Sequence, residues 1–471
     1  MGIGISRKQR VFAVLETTQG AVKFPAAANF IRPAGDAIIN QSPDFVDSEE
    51  KQDTLDILDR FQNARPPGEF TIPMYLRTDS SASFATPQGD AIWQSLQGGR
   101  ETWSCTIATI AGVASTQATF RTLVGTPPKK GVFHIGAETF FYHDWSTSSS
   151  TMGTFYFLNV SGAASGRGYH GTSAAIHNTG PTGSAATVCS IFYKQETTSP
   201  SMTIWVETDH FVQGLIGATV GQMTVGVTNE GAVILNITGQ GMEMVWAGTE
   251  TVSICSNAAG VGATGCTVTN AKAFTVDSYI YKEVGTTPED KGAADLGYKV
   301  TSSNATTNRI VFTPVNTATW GTANVIRGYL PSATVVGTAI ESRYTDVEID
   351  DVDASIKNTD LTISVPKQYV TDEVGTTFPE DYMEQVRDIS STLDLYFRDT
   401  DFTYFKDGYD GNAVELFLKF GDSEGGMLGM FMKNVSLTVP SVGFSAPAVN
   451  LSIPMKALGT VGEDSLEIIT L

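Results

Sequence analysis

The chain has 471 residues, 41% of them hydrophobic, and a formal net charge of −20 from 50 acidic and 30 basic residues. That apolar content excludes global disorder and suits roughly two to four domains. The charge excludes a nucleic-acid grip, because the densest basic run is only Arg7-Lys8-Gln9-Arg10.

Met1-Gly2-Ile3-Gly4 leads into basic residues with no long apolar core, so no secretory leader is expected. Nowhere do about 18 apolar residues run together, so no membrane-crossing helix and no membrane partner are expected. A first strand is predicted at Arg10–Leu15, followed by a loop through Gly20 to Pro33.

Ser48–Gln62 has two readings. Ser48 ahead of Glu49 and Glu50 resembles a helix start, with Leu55, Leu58 and Gln62 at near-helical spacing. The preferred reading is a long hairpin in which Asp53–Phe61 pairs with Phe70–Arg77 across Pro66-Pro67-Gly68. Such an arm carries Asp44, Asp47, Glu49, Glu50, Asp53, Arg60 and Arg65 and has too little apolar area to be stable alone. It is expected to project and to be ordered by a neighbouring subunit or the next ring.

Thr86-Pro87 predicts a short helix, with Thr as cap, Pro at the first position and Gly98-Gly99 as the stop. Ile92, Trp93 and Leu96 line one of its faces. Composition shifts at Thr126-Pro127-Pro128. Residues 126–199 read as an inserted β module rich in Ser, Gly, Thr and aromatics, and residues 251–340 as a second one. Residues 1–125 with 200–250, and residues 341–471, read as two similar halves. Each half closes with a hairpin, Ala218–Gly239 in one and Asn434–Gly459 in the other.

Six stretches alternate apolar and polar residues: Phe70–Leu76, Met223–Val227, Val233–Ile237, Asp388–Arg398, Val414–Phe420 and Val449–Met455. A period of two means strands with one packed and one wet face, which suits sandwiches and barrels rather than doubly wound sheets. The predicted fold class is therefore mainly β: an antiparallel sandwich or barrel-forming core with one short helix and two small β modules.

Little in the chain resembles a catalytic site. There is no GxSxG, P-loop, HExxH or GxGxxG after a strand. Of His134, His143, His170, His177 and His210, four crowd into the first module without metal-ligand spacing. Asp346, Glu348, Asp350, Asp351 and Asp353 could flank a glycosidic bond or hold calcium, but strand alternation favours one solvated face. Asp407-Gly408-Tyr409-Asp410-Gly411 reads as turn chemistry. Cys105 and Cys189 stand alone, whereas Cys255 and Cys266 flank a Gly/Ala-rich loop and could form a disulfide. No enzyme activity, cofactor or metal is expected.

Two stretches carry a family resemblance. Asn40-Gln41-Ser42-Pro43-Asp44-Phe45-Val46-Asp47-Ser48-Glu49-Glu50, then Pro67-Gly68-Glu69-Phe70-Thr71-Ile72-Pro73-Met74-Tyr75-Leu76-Arg77, resembles the N-terminal half of bacteriophage tail tube proteins. The order Asp360-Leu361-Thr362-Ile363-Ser364-Val365, Phe378-Pro379-Glu380-Asp381-Tyr382 and Ile389–Phe397 resembles larger tube subunits with two tube-type halves.

The resemblance implies a virion tail protein, assembled in the host cytoplasm as stacked homo-hexameric rings. Strands of neighbours would close a barrel around double-stranded DNA and the tape-measure protein. Sheath, tail terminator and baseplate proteins are the further partners it implies. In such a tube the polar faces bearing the lumen candidates Asp394, Arg398, Glu415 and Lys419 would line the lumen or the outer wall, the lumen is expected to be net acidic, and both modules belong on the outer wall. The competing readings are a receptor-binding or decoration protein and a polysaccharide depolymerase using the carboxylate cluster.

Overall fold

A computed structural model describes residues 9–471 except 51–56, 58, 79–85, 111–114, 151, 158–168, 170–184, 187, 209–211, 229, 247–252, 272–273, 275, 277–278, 285–286, 293–296, 329–336, 399–400, 423–425 and 446–447. The fold is mainly β, and every one of the six alternating stretches lies largely or wholly in a strand.

The first half contains β1 (Arg10–Leu15), β2 (Phe30–Ile31), β3 (Ile38–Asn40), β4 (Phe45–Asp47), β5 (Arg60–Gln62), β6 (Gly68–Tyr75), α1 (Asp90–Gln97) and β7 (Gly98–Thr102). After the first module come β8 (Ile191–Gln195), β9 (Met202–Glu207), β10 (Val212–Val227), β11 (Ile234–Gly241) and β12 (Glu243–Trp246). The second half runs through β13 (Thr345–Ile349), β14 (Val352–Ala354), β15 (Ile356–Ser364), β16 (Lys367–Tyr369), β17 (Tyr382–Glu384) and β18 (Asp388–Tyr396). It continues with α2 (Phe402–Asp410), β19 (Ala413–Phe420), β20 (Leu428–Leu437), β21 (Ser441–Ser445), β22 (Ala448–Ala457) and β23 (Glu467–Thr470).

Strand pairing repeats between the halves. β1 pairs with β2 and β9, as β13 pairs with β14 and β19. β10 pairs with β9, β11 and β12, as β20, continued by β21, pairs with β19, β22 and β23. β6 bridges β3 and β11, as β18 bridges β15 and β22. Each half also has a small hairpin, β4–β5 or β16–β17, between corresponding strands.

The halves meet where β10 pairs antiparallel with β15, Gln222↔Ser364 through Val227↔Thr359. This joint makes one eight-stranded sheet, β3-β6-β11-β10-β15-β18-β22-β21. Its alternation places Ile72, Met74, Val225, Leu235, Leu361, Leu393 and Ile453 in one buried core shared by both halves. Behind it lie the outer strands β1, β9 and β12 of one half and β13, β19 and β23 of the other. β8 adds to β23 and β7 to β8.

The outer strands are apolar on both faces because they are covered twice. In β1, Val11 and Ala13 face the shared core, while Phe12 joins Phe24, Trp205 and Tyr281 on the other side. In β19, Leu416 and Leu418 face the core, while Phe417 joins the aromatic core of the first module with Phe133, Phe140 and Phe155. Each module is thus seated on the outer sheet of one half, through Tyr281 on the first and through Phe141, whose ring lies 5.9 Å from Phe417, on the second. The first module's pairing begins earlier than residue 126, since Ser104–Thr109 and Gln117–Val124 belong to its sheet, and it ends before β8 returns to the core. The second module pairs within residues 253–327 and packs around Trp320, Tyr298 and Phe312.

Three local expectations are corrected. β6 pairs with β3 and β11, and β5 pairs with β4, so Asp53–Phe61 does not pair with Phe70–Arg77. A three-residue pairing of Phe45–Asp47 with Arg60–Gln62 leaves no alternation long enough to read. α1 begins at Asp90 after Gly89 (φ 76), while Pro87 bridges to Thr78 instead of opening the helix. A second helix, α2, stands where turns were expected. Its Gly408 lets it lie against the end of β20, where a Cβ would come within 3.1 Å of the Thr438 carbonyl.

Candidate functional site

The uncovered face of the eight-stranded sheet is an extended polar surface. Its side chains are fixed by register. One row reads Thr71, Thr238, Gln222, Ser364, Asp388. The next reads Asn236, Thr224, Thr362, Ser390, Lys456. A further row carries Asn358, Asp394, Ser452 and Ser441. These are mostly hydroxyls and amides. The charged groups are Glu69, Asp360, Asp388 and Asp394, against Lys357 bonded to Asn450 and Lys456 paired with Asp388 at 2.8 Å. Such a face is net acidic and offers phosphates no counterion-releasing stripe.

Asp394 lies on this face, half-buried. The structure does not bring the other lumen candidates to it as a group. Arg398 is exposed beyond the end of β18 and bonds Ser355 at 3.0 Å. Glu415 and Lys419 are on β19, in the outer sheet. Burial raises the Glu415 carboxyl, with Lys130 and Lys129 opposing. Lys419 pairs with Asp346 at 2.5 Å.

Two hairpins project from the ends of this sheet's long strands. β16–β17 lies across the first half. Tyr369 Oη sits 2.8 Å from the Gly217 carbonyl, 2.9 Å from the Gln240 carbonyl and 2.9 Å from Thr219 Oγ1. Tyr382 Oη donates to the Ser199 carbonyl at 2.6 Å, and Ser199 N donates to Glu384 at 2.7 Å. Lys367 Nζ donates to Ser199 Oγ at 3.0 Å and pairs with Glu384. Burial lowers the Lys367 ammonium and pushes the Tyr382 phenol up to about 12. Beneath this seat Glu16 accepts from Gly217 N, Ser201, Thr203 and Gly20 N, and burial raises its carboxyl in spite of them. The sequence reading missed this seat. Its only local signal is Lys367/Tyr369 and Tyr382/Glu384 at a spacing of two.

Hairpin β4–β5 is exposed on its strands, with Arg60 paired to Asp47 at 3.1 Å and stacked 4.9 Å over Phe45. Asp44 accepts from Asn63, and Glu50 N donates to Ser48. Glu49 is exposed. Arg65 N donates to the Thr377 carbonyl at the tip of the other hairpin. Asp53 lies outside the described residues.

The carboxylate cluster is divided: Asp346, Asp350 and Asp353 are exposed, whereas Glu348 is half-buried and Asp351 buried. Lys130 of the first module, 1% exposed, pairs with Asp351 and lies 3.3 Å from Glu348. His143 Nδ1 is 3.8 Å from Asp351. Burial pushes the Asp351 carboxyl up, but the adjacent His143 and the hydrogen bond and charge of Lys130 outweigh it and hold the group well below the carboxylate range. His143, Glu348 and Asp351 are close enough to share a cation, yet the Lys130 ammonium already serves both carboxylates. The cluster clamps the module to the core. Asp350 and Asp351 form its turn with φ of 51 and 60.

Cys255 and Cys266 are adjacent and buried as free thiols, Cys255 being lowered by the hydrogen bond between them. Among the described residues no helix is long and apolar enough to cross a membrane. No protein-family model matches the chain, and no curated protein is detectably similar to it.

Proposed function

We propose that the chain is a structural subunit of a bacteriophage tail tube, polymerising with itself as stacked rings into a hollow conduit for genome ejection and for the tape-measure protein. The observation that carries this reading is the eight-stranded sheet. One face is buried, the other is polar and net acidic, and both outermost strands, β3 and β21, lack a partner strand on one side among the described residues. An exposed edge with apolar side chains is a liability unless another chain covers it. On β21 Val442 is exposed and Phe444 is 86% exposed.

The number of strands matters. With eight antiparallel strands, a copy related by simple rotation presents its β3 antiparallel to β21, so repetition extends the sheet without a fault. Eight strands closed on themselves would be filled by side chains, whereas several copies enclose a channel. The polar face would then line it, and DNA would slide along hydroxyls, amides and a slight excess of carboxylates. Both modules sit behind the outer strands, where they would face a sheath or neighbouring wall. Terminator and baseplate proteins would cap the ends. The assembled tube would belong to the virion tail, built in the host cytoplasm.

Negative-stain microscopy of the purified protein tests the proposal. Rings or hollow tubes are the expected result. Compact particles that never associate across a wide concentration range would sink it.

A further inference from the structure

The two hairpins occupy corresponding places in the repeat, one between β3 and β6, the other between β15 and β18. They differ in what they touch. β16–β17 belongs to the second half but is seated on the first, at Ser199, Gly217, Thr219 and Gln240. β4–β5 belongs to the first half and leaves Phe45, Val46 and Phe61 exposed. Among the described residues no seat like that of β16–β17 covers these three side chains.

We propose that β4–β5 seats on the second half of another copy of this chain, where β16–β17 would sit if the repeat were continued. The joint inside the chain is then the template for the joint between chains. This rests on the tube reading above and adds the contact that links its subunits.

Register locates the seat. Thr219 pairs with Gln240 between β10 and β11, and the corresponding pairing between β20 and β22 is Val435↔Ala457. Ser199 stands just ahead of β9, and the end of α2 stands just ahead of β19. The seat therefore lies among Tyr409, Lys433 and Leu458. Tyr409 is 83% and Leu458 41% exposed, and Lys433 is exposed next to Asn434, whose carbonyl accepts from Leu458 N. Two apolar groups and a cation there complement Phe61, Val46 and the carboxylates of Asp44 and Asp47 on the arm.

The strand edges agree with the template. β21 takes the place of β10 and β3 that of β15, so the neighbour's β3 would extend β21 as β15 extends β10. At present Gln9 bonds both backbone groups of Ala37, and Gln213 donates to the Ile39 carbonyl at 3.4 Å. Side chains thus hold the backbone groups of the β3 edge that a strand would bond. A contact in which different surfaces meet head to tail closes into a ring or winds into a filament.

The test uses the full chain with Phe61→Asp on the arm, Leu458→Asp on the seat, and an equimolar mixture. Both positions are exposed, and circular dichroism should match wild type. Each variant alone should be monomeric by analytical ultracentrifugation. The mixture should give dimers and nothing larger, because only one intact arm meets one intact seat. Rings from either variant alone, or a mixture that stays monomeric, would overturn the inference. Wild-type protein that forms no ring or tube would instead overturn the tube reading itself. Should either variant fail to fold, Val46→Asp and Tyr409→Asp replace them with the same expected outcomes.

Discussion

Replacing Lys130 by Met tests whether the first module is clamped to the core by charge. The Lys130 side chain is 1% exposed, and removing its ammonium takes away the cation that serves both Asp351 and Glu348. Met keeps a stem of similar length and loses the ammonium, which also lies 5.4 Å over the Phe417 ring and 5.8 Å over the Phe431 ring. Breaking a buried ion pair by removing one partner costs about 3–5 kcal/mol, because the charge left behind is uncompensated. That is a large part of the roughly 5–15 kcal/mol that holds a typical domain together. The triple variant Lys130→Met, Glu348→Gln, Asp351→Asn should recover much of the loss, since no buried charge is left alone. Urea unfolding followed by fluorescence and by circular dichroism gives the comparison, with coincident transitions as the check on two-state analysis. A loss below about 1 kcal/mol for Lys130→Met would place the cluster with ordinary surface pairs and refute the clamp.

The same cluster sets a pH dependence. The Asp351 carboxyl is depressed on folding, so its contribution is complete above the unfolded value of about 3.9 and is lost as pH falls through the folded value. The stability gap between wild type and Asp351→Asn should therefore be widest near neutrality and shrink below about pH 4; a gap independent of pH would reject this. Gly217→Ala should lower stability by about 1–3 kcal/mol, since its φ is +60 and a Cβ would come within 2.6 Å of Met242 Cγ. An unchanged melting temperature would show that the seat under Tyr369 relaxes freely. On the polar face, tubes carrying Asn236→Lys and Ser390→Lys should retain duplex DNA at about 50 mM salt and release it by about 200 mM, whereas wild-type tubes should retain none. Equal retention by both in a filter assay would detach that face from the lumen.

Much of the architecture was legible because it is local. Phe70, Ile72 and Met74, or Ile389, Leu393 and Leu395, alternate against polar neighbours, and all of them reach the shared core. The likeness of the two terminal hairpins is also visible in sequence, since β10–β11 and β20–β22 each need a long alternating run. What was hidden is non-local. Nothing near Tyr369 states that its hydroxyl will meet the carbonyl of Gly217, 152 positions away. Glu415 and Lys419 read as lumen residues because Val414–Phe420 alternates, but alternation does not say which sheet a strand joins. α2 was missed because Gly408 lowers helix propensity, and its benefit, close approach to Thr438, exists only in the folded chain.

The pairing of β8 with β23 governs the order of events during synthesis. Ile191 bonds Thr470 across 279 positions. At about 5–20 residues per second, the ribosome needs roughly 14–56 s to deliver the second strand after the first. Until then β8 has a partner only on its β7 side. Tyr409, Leu458 and β21, which would receive another copy, are likewise among the later residues to emerge. Neighbouring nascent chains on one messenger therefore carry arms before they carry seats. If arm and seat meet as proposed, the order of the gene would delay linkage among chains that have not yet reached Tyr409.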